Sequence, residues 1–380
     1  MVEQIKLTWK AKKAENAPEL FVGQVKSIEG SGEGIIIITS GTDLILKINL
    51  TVSLSVNEIK SQNLSIYGLS DLEHITVGDI LLIKHRNIRS IYRIDSPNNS
   101  IFATIRCNSN CLMCSQPPLD IDDTFENYII WDKAIDYLPE DLKFIGFTGG
   151  EPTLLGQYLI NLVNKLLSNH PNLIIDILSN GRLQARNSYQ PLLKQIIDPS
   201  RVVFAIPLYS DIYKIHDYIV QAKDAYFQTI LGIHKMAELG FLIEIRVVLH
   251  KLSVDRLEEL AKFTHKNFPF IYHITFMGLE LIGYTKANKD LLIVEENESI
   301  NQKLLPAIDF LNKWDYNISI YNTPLCHLPI ELRPFAKQSI SDWKNSFHPK
   351  CSMCVYKLEC SGFFSWNLKS SEVYPILEKE

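Results

Sequence analysis

Cys107, Cys111 and Cys114 stand in the run Arg106-Cys107-Asn108-Ser109-Asn110-Cys111-Leu112-Met113-Cys114, a C-x₃-C-x₂-C spacing. A loop spaced in this way can wrap three thiolates around one iron–sulfur cubane and leave the fourth iron without a protein ligand. Structural zinc and iron–sulfur sites normally take four protein ligands, whereas an open position marks a reactive metal. With seven cysteines in 380 residues, the spacing arises in roughly one random chain in 400. The competing reading is a zinc knuckle that borrows a distant cysteine.

Other residues could serve the same site. Thr148-Gly149-Gly150-Glu151-Pro152 ends an aliphatic run. Its glycines let a backbone approach a ligand closely, and the Glu151 carboxylate can accept hydrogen bonds from an ammonium group. Ser179-Asn180-Gly181 ends the next such run and reads equally as ligand contact or turn cap. Arg246 lies inside a further strand candidate, turned either to a bound ligand or to solvent. Asp211, His216 and Asp217 have the chemistry of a proton shuttle but are explained as well by capping and exposure. Near the other end, Cys351-x₂-Cys354-x₅-Cys360 and the upstream Cys326 make a second group of four thiols. Four thiolates fill a tetrahedral zinc or saturate a cubane, and His327 could stand in for one of them.

The elements that must position these residues fall into three segments. Residues 1–98 read as β-rich, with runs at Ile35–Thr39, Leu44–Leu50, Ile80–Lys84 and Ile91–Ile94 between turn-formers such as Gly30–Gly34. Asp95-Ser96-Pro97-Asn98-Asn99 is a strong turn and marks the boundary. Over 99–289, strands at Phe102–Ile105, Phe144–Phe147, Leu173–Leu178, Val202–Leu208, Leu242–Leu249 and Ile271–Phe276 alternate with helices near Trp131–Leu138, Gln157–Leu167, Tyr226–Leu239 and Val254–His265. That alternation predicts a parallel sheet with crossover helices, an incomplete (β/α)6 barrel whose sites sit at the carboxyl ends of the strands. Residues 290–380 lose the rhythm: a helix over Asp290–Leu311, a strand over Asn317–Tyr321, then a cysteine-rich tail of the kind that often needs a metal to fold.

The bulk numbers bound the function. A hydrophobic share of 46% and a charged share of 21% are those of a globular chain large enough to shield a reactive site. The formal net charge of −5 lacks the basic surplus of a nucleic-acid binder. The first twenty residues carry no signal-peptide core, and aliphatic runs such as Ile35–Ile38 are too short to span a bilayer, so a cytoplasmic protein is expected. In a reducing compartment, clustered cysteines read as metal ligands before disulfides.

The C-x₃-C-x₂-C loop, followed one βα unit later by Gly149-Gly150-Glu151, resembles the signature of the radical S-adenosylmethionine (SAM) superfamily. The resemblance implies a [4Fe–4S] cluster on Cys107, Cys111 and Cys114, and SAM held through its amino and carboxylate groups on the open iron. Electron transfer from an external donor would then give methionine and a 5′-deoxyadenosyl radical that abstracts hydrogen. By the same resemblance Met113, Gly149, Gly150, Glu151, Ser179, Asn180 and Arg246 are SAM-binding candidates. Met113 replaces the aromatic residue common at its position. The Cys351–Cys360 core is similar to part of the SPASM/twitch extensions, which implies one auxiliary [4Fe–4S] cluster, ahead of zinc, on Cys326, Cys351, Cys354 and Cys360.

A more particular resemblance rests on YRIDSPNNSIFATIRCNSNCLMCSQPP at Tyr92–Pro118, ISDWKN at Ile340–Asn345 and CSGFF at Cys360–Phe364. These segments resemble the His-Xaa-Ser system radical SAM maturases of the HxsC type. That family implies a precursor peptide with His-Xaa-Ser repeats as substrate, a sister radical SAM protein and a small partner protein. The reaction it implies is an oxidative cross-link or related side-chain modification, the maturation of a ribosomally made (RiPP) peptide. The alternatives are a radical SAM enzyme acting on a small metabolite or RNA, and a non-catalytic iron–sulfur or zinc scaffold paired with an active sister enzyme.

Overall fold

The computed structural model describes residues 5–378 except 12, 16–18, 30–34, 41–43, 50–63 and 68–72. The Gly30–Gly34 turn and Leu50 therefore lie outside the described residues. The chain forms a mixed α/β structure with two large sheets.

The first sheet holds eight strands: β1 (Thr8–Lys10), β2 (Lys13–Glu15), β3 (Phe21–Glu29), β4 (Ile35–Ser40), β5 (Leu44–Asn49), β6 (Leu64–Tyr67), β7 (Ile80–Lys84) and β8 (Asn87–Tyr92), in the order β1-β8-β7-β3-β4-β5-β6-β2. The strand expected at Ile91–Ile94 starts earlier, at Asn87. It ends at Tyr92 because Asn99 holds the Arg93 N–H at 2.9 Å and its C=O at 2.8 Å, turning the chain. Val22, Ile80 and Tyr92 pack into the same apolar core as the second sheet.

The second sheet is parallel, with seven strands in sequence order: β9 (Ser100–Phe102), β10 (Phe144–Thr148), β11 (Ile174–Leu178), β12 (Val202–Pro207), β13 (Leu242–Leu249), β14 (His273–Gly278) and β15 (Ile318–Tyr321). The seventh strand had been expected in the cysteine-rich extension. Its residues Ile318, Ser319, Ile320 and Tyr321 instead pair with Ile274, Thr275, Phe276 and Met277 of β14. The helices are α1 (Thr124–Ala134), α2 (Gln157–Asn169), α3 (Gln190–Leu193), α4 (Tyr213–Val220), α5 (Ala225–Glu238), α6 (Leu257–Asn267), α7 (Tyr284–Ala287), α8 (Lys289–Leu292) and α9 (Asn297–Lys313). The helix expected over Asp290–Leu311 is two elements, α8 and α9, separated by Ile293–Glu296. None of the described helices is long and apolar enough to cross a membrane.

Alternation along the parallel strands sorts residues to two faces. Ile145, Phe147, Ile175, Ile177, Phe204 and Ile245 join the helix-side core. The intervening positions include Gly146, Asp176, Glu244, Arg246, His273, Thr275 and Ser319, so the other face is polar. Two buried histidines lie in the segments that follow β12 and β13. His216 accepts a hydrogen bond from the Tyr209 N–H at 3.3 Å, and His250 accepts one from the Leu252 N–H at 3.2 Å.

Burial pushes the His216 pKa down to about 3 and that of His250 down to about 4. Both rings are neutral when folded, whereas the unfolded chain takes up protons below the ordinary histidine value. Their contribution to stability is therefore complete at neutral pH and is lost as pH falls below about 6.5 toward those folded values. Each histidine should add roughly 1.4 kcal/mol of destabilisation per pH unit in that interval. Chemical denaturation at neutral and mildly acidic pH, compared with a His216→Gln/His250→Gln variant, measures the effect. Equal acid sensitivity in both proteins would contradict it.

Candidate functional site: a cysteine loop clamped at the ends of three strands

The cysteine loop leaves the carboxyl end of β9 and is held along its length by backbone bonds. Asn110 N–H donates to the Val220 carbonyl at 3.0 Å and Leu112 N–H to that of Ile219 at 2.9 Å, which ties the loop to the end of α4. On the other side, Tyr284 N–H donates to the Cys114 carbonyl at 2.9 Å, and the Asn288 side chain to that of Leu112 at 2.9 Å. Met113 is buried with Tyr209, Val220 and Leu292, and its carbonyl accepts from the Thr285 hydroxyl. All five of these tethers join residues more than 100 positions apart, so local sequence could not reveal them.

Gly149 and Gly150 do allow a close approach, and in this structure the neighbour is the cysteine loop itself. Gly149 has φ +127°, and a Cβ there would meet the Thr104 carbonyl. One on Gly150 would run into that of Arg106. The strand-like pairing continues through Gly150 N–H to the Thr104 carbonyl at 2.7 Å and Glu151 N–H to that of Arg106 at 2.8 Å. A side chain at either glycine would separate the first two strand ends.

Glu151 is 1% exposed. One carboxylate oxygen accepts from Thr153 N–H at 3.1 Å, the Thr153 hydroxyl at 2.5 Å and the Ser179 hydroxyl at 2.7 Å. The other accepts from Asn180 N–H at 2.7 Å. Burial pushes its carboxyl up, opposed by these donors. Glu151 thus joins the end of β10 to the end of β11. Asn180 in turn donates to the Asn108 side chain at 2.5 Å and approaches the Cys107 sulfur at 3.9 Å.

Arg182 was missed by sequence reasoning, although it directly follows Ser179-Asn180-Gly181. Its guanidinium donates to the Asn108 carbonyl, to the Ser109 hydroxyl at 3.0 Å and to Gln228 at 2.8 Å. It therefore grips the loop between the first two cysteines. Tyr209, also missed, lies at the end of β12 beside Cys111 and Cys114. Burial, together with these thiols, raises its phenol well above its usual range.

Arg246 does not face solvent. It donates to Asp176 at 2.9 Å and to Glu244, and Glu244 also contacts His273 at 2.9 Å. His273 continues to Ser319 at 3.0 Å. Burial opposes charge on both carboxylates; Arg246 with His273 holds Glu244 below the usual carboxylate range. The guanidinium is already committed to two carboxylates. Asp211 pairs with Arg256 at 2.6 and 2.7 Å, and Asp217 accepts from the Tyr226 N–H at the start of α5. Phe276 belongs to the helix-side core.

The donor set suits an iron–sulfur cluster. Burial raises all three loop thiols, Cys107 up to about 12, and neighbouring thiols and Glu151 push the same way. Unaided, they stay protonated at neutral pH; a bound cationic metal centre is what ionises such thiols. Among the described residues no group of three or more His, Cys, Asp or Glu side chains closes on a single-ion position. A cubane does not require that convergence, because each thiolate binds a different iron. In the tail, Cys326, Cys351, Cys354 and Cys360 line one small pocket, walled by Phe347, Phe363 and Val373. The Cys360 sulfur accepts from Leu325 and Gly362 N–H at 3.4 Å each.

No family model and no curated protein matches the chain. Among solved structures it is similar to Streptococcus suis SuiB bound to S-adenosylmethionine, with a TM-score of 0.46, 18% identity, and 58% of this chain and 49% of that chain covered. It is also similar to native anSMEcpe with bound AdoMet and Cp18Cys peptide, with a TM-score of 0.43, 15% identity and coverages of 58% and 62%. A third similar structure is TYW1 with a lysine-pyruvate adduct, at a TM-score of 0.37, 16% identity and coverages of 54% and 70%. The match spans about half the length of SuiB.

Proposed function

We propose that this chain is a radical SAM enzyme that modifies a ribosomally made peptide, a maturase of the HxsC type. The observation that carries the reading is the junction of three strand ends. The C-x₃-C-x₂-C loop after β9, Gly149-Gly150-Glu151 after β10 and Ser179-Asn180 after β11 are bonded to one another directly. A [4Fe–4S] cluster held by Cys107, Cys111 and Cys114, with SAM on its open iron, would supply reductive SAM cleavage and with it hydrogen abstraction from the substrate.

The protein's own part is positional. Cys107, Cys111 and Cys114 hold the cluster, while the Gly149–Glu151 backbone, Asn180 and Met113 border the SAM position. Arg246, bound to Asp176 and Glu244, acts on SAM through a charge-balanced network rather than as a free cation. Cys326, Cys351, Cys354 and Cys360 would hold an auxiliary cluster, which would supply an acceptor for the second electron of a cross-linking reaction. His-Xaa-Ser repeats identify the precursor, and the sister radical SAM protein and small partner complete the system. The chain is expected to act in the cytoplasm.

Anaerobic reconstitution with iron and sulfide, followed by SAM and a reductant, tests the core of the reading. Release of 5′-deoxyadenosine and methionine is expected. Its absence with the sister protein also present would instead support a scaffold subunit. Arg182→Ala should lower cluster retention roughly 10–100-fold, the usual cost of losing a residue that orients metal ligands. Iron and sulfide per chain after desalting measure this, and wild-type retention would remove Arg182 from the clamp.

A further inference from the structure

We infer that a cleft beside the tail cysteines binds an extended, cationic stretch of polypeptide. The cleft has a volume of about 950 Å³ and lies between the ends of β13 and β14, the start of α9 and the chain after β15. Residues 106–114 do not line it, but it adjoins their loop: Leu279 of its lining packs beside Met113, and Tyr284, a few residues on, contacts Cys114. The inference deepens the peptide reading above and rests on it for the nature of the substrate.

The walls specify the occupant. Leu249, Leu304, Leu328 and Phe363 are buried side chains that give the cleft an apolar floor. Its rim carries Glu295, Glu296, Glu298, Glu331 and Glu372. The cation among the lining residues, Lys369, is taken by Glu372 at 2.9 Å. The His327 ring is taken up by the Glu372 carbonyl at 2.7 Å. Among the described residues, Glu295, Glu296 and Glu331 form no ion pair, and they are exposed. Apolar floor and anionic rim match an extended chain, whose successive side chains point to opposite sides: aliphatic residues down, lysine or arginine up. The volume is at the upper end for small-molecule pockets, which are roughly 300–1,000 Å³.

Cys326 adds a functional consequence. It lines this cleft and also the pocket of the four tail cysteines. A peptide seated here would have one flank against Cys326, one of the four tail cysteines proposed as auxiliary-cluster ligands. The cleft would thus choose the substrate by its charge pattern and set which residue reaches the chemistry.

The test is fluorescence anisotropy of a short labelled peptide of alternating lysine and valine with the full-length protein, without SAM or reductant. Failure here is therefore separate from failure to release deoxyadenosine. Saturable binding that weakens with salt is expected, with no binding of the glutamate–valine counterpart. Glu295→Lys/Glu296→Lys/Glu298→Lys should weaken binding at least about tenfold, because like charge then faces like charge. The gentler Glu295→Gln/Glu296→Gln/Glu298→Gln variant should fall between, and circular dichroism checks that both are folded. Non-saturable binding to the wild type would overturn the inference, as would unchanged affinity in a folded variant. Displacement by spermine as effective as by unlabelled peptide would overturn it in favour of a small-cation site. If both variants misfold, the wild-type salt and competition results decide.

Discussion

Replacing Cys107, Cys111 or Cys114 by alanine is expected to abolish 5′-deoxyadenosine release and to remove the iron–sulfur absorption of the cluster proposed for this loop. The loss should exceed the roughly 10–100-fold typical of residues that merely orient a metal ligand. The reason lies in the loop's construction. Its backbone is fixed by α4 and by residues 284–288, so it cannot slide to bring another donor forward. The remaining cysteines lie in a different pocket and are not spare ligands. Each variant should retain the iron of the auxiliary cluster proposed for the tail cysteines, which gives the measurement an internal reference. Anaerobic spectra and iron analysis showing an intact first cluster in all three variants would end the radical SAM proposal, whatever the fate of the tail.

The second large effect concerns Glu151. Truncation to alanine leaves the Thr153 N–H, the Thr153 and Ser179 hydroxyls and the Asn180 N–H facing a buried gap. Each unsatisfied buried group costs about 1–3 kcal/mol, partly relieved where water enters or a hydroxyl turns. A net loss of about 3 kcal/mol or more is therefore expected in denaturant unfolding. Glu151→Gln keeps the shape and one carbonyl acceptor and should lose less. The carboxylate also couples the β10 and β11 ends at the proposed SAM position, so both substitutions should weaken SAM binding in calorimetry. A stable Glu151→Ala protein with ordinary SAM affinity would show that the junction is not what organises the site.

Short-range signals carried a good part of this protein. The C-x₃-C-x₂-C loop, the Gly-Gly-Glu turn and the aliphatic runs of β10 to β14 are each contained in a few residues, and periodicity or spacing is enough to read them. The helix starting at Gln157 and the one at Ala225 were legible for the same reason. The strand over Asn317–Tyr321 was also legible as a strand, yet its partner was not, because pairing with β14 depends on residues about 44 positions earlier. Burial of Arg246 among Asp176 and Glu244 had no local sign, since a strand arginine can face either way and its acidic partner on β11 is 70 residues away.

The same holds at the candidate site. Arg182 reaches Asn108 across 74 positions, and Arg93 meets Asp342 across 249. Such contacts exist only when the sheet has brought strand ends together, so a one-dimensional pattern cannot contain them. Local spacing thus singled out the candidate atoms for chemistry. Assembly of distant segments established what steadies those atoms, which face of the sheet is charged, and that an acidic cleft stands beside the second cysteine group. The physical division is one of range: ligand spacing and strand periodicity act over a few residues, whereas burial, charge pairing and cavity shape arise from residues the chain must first fold to meet.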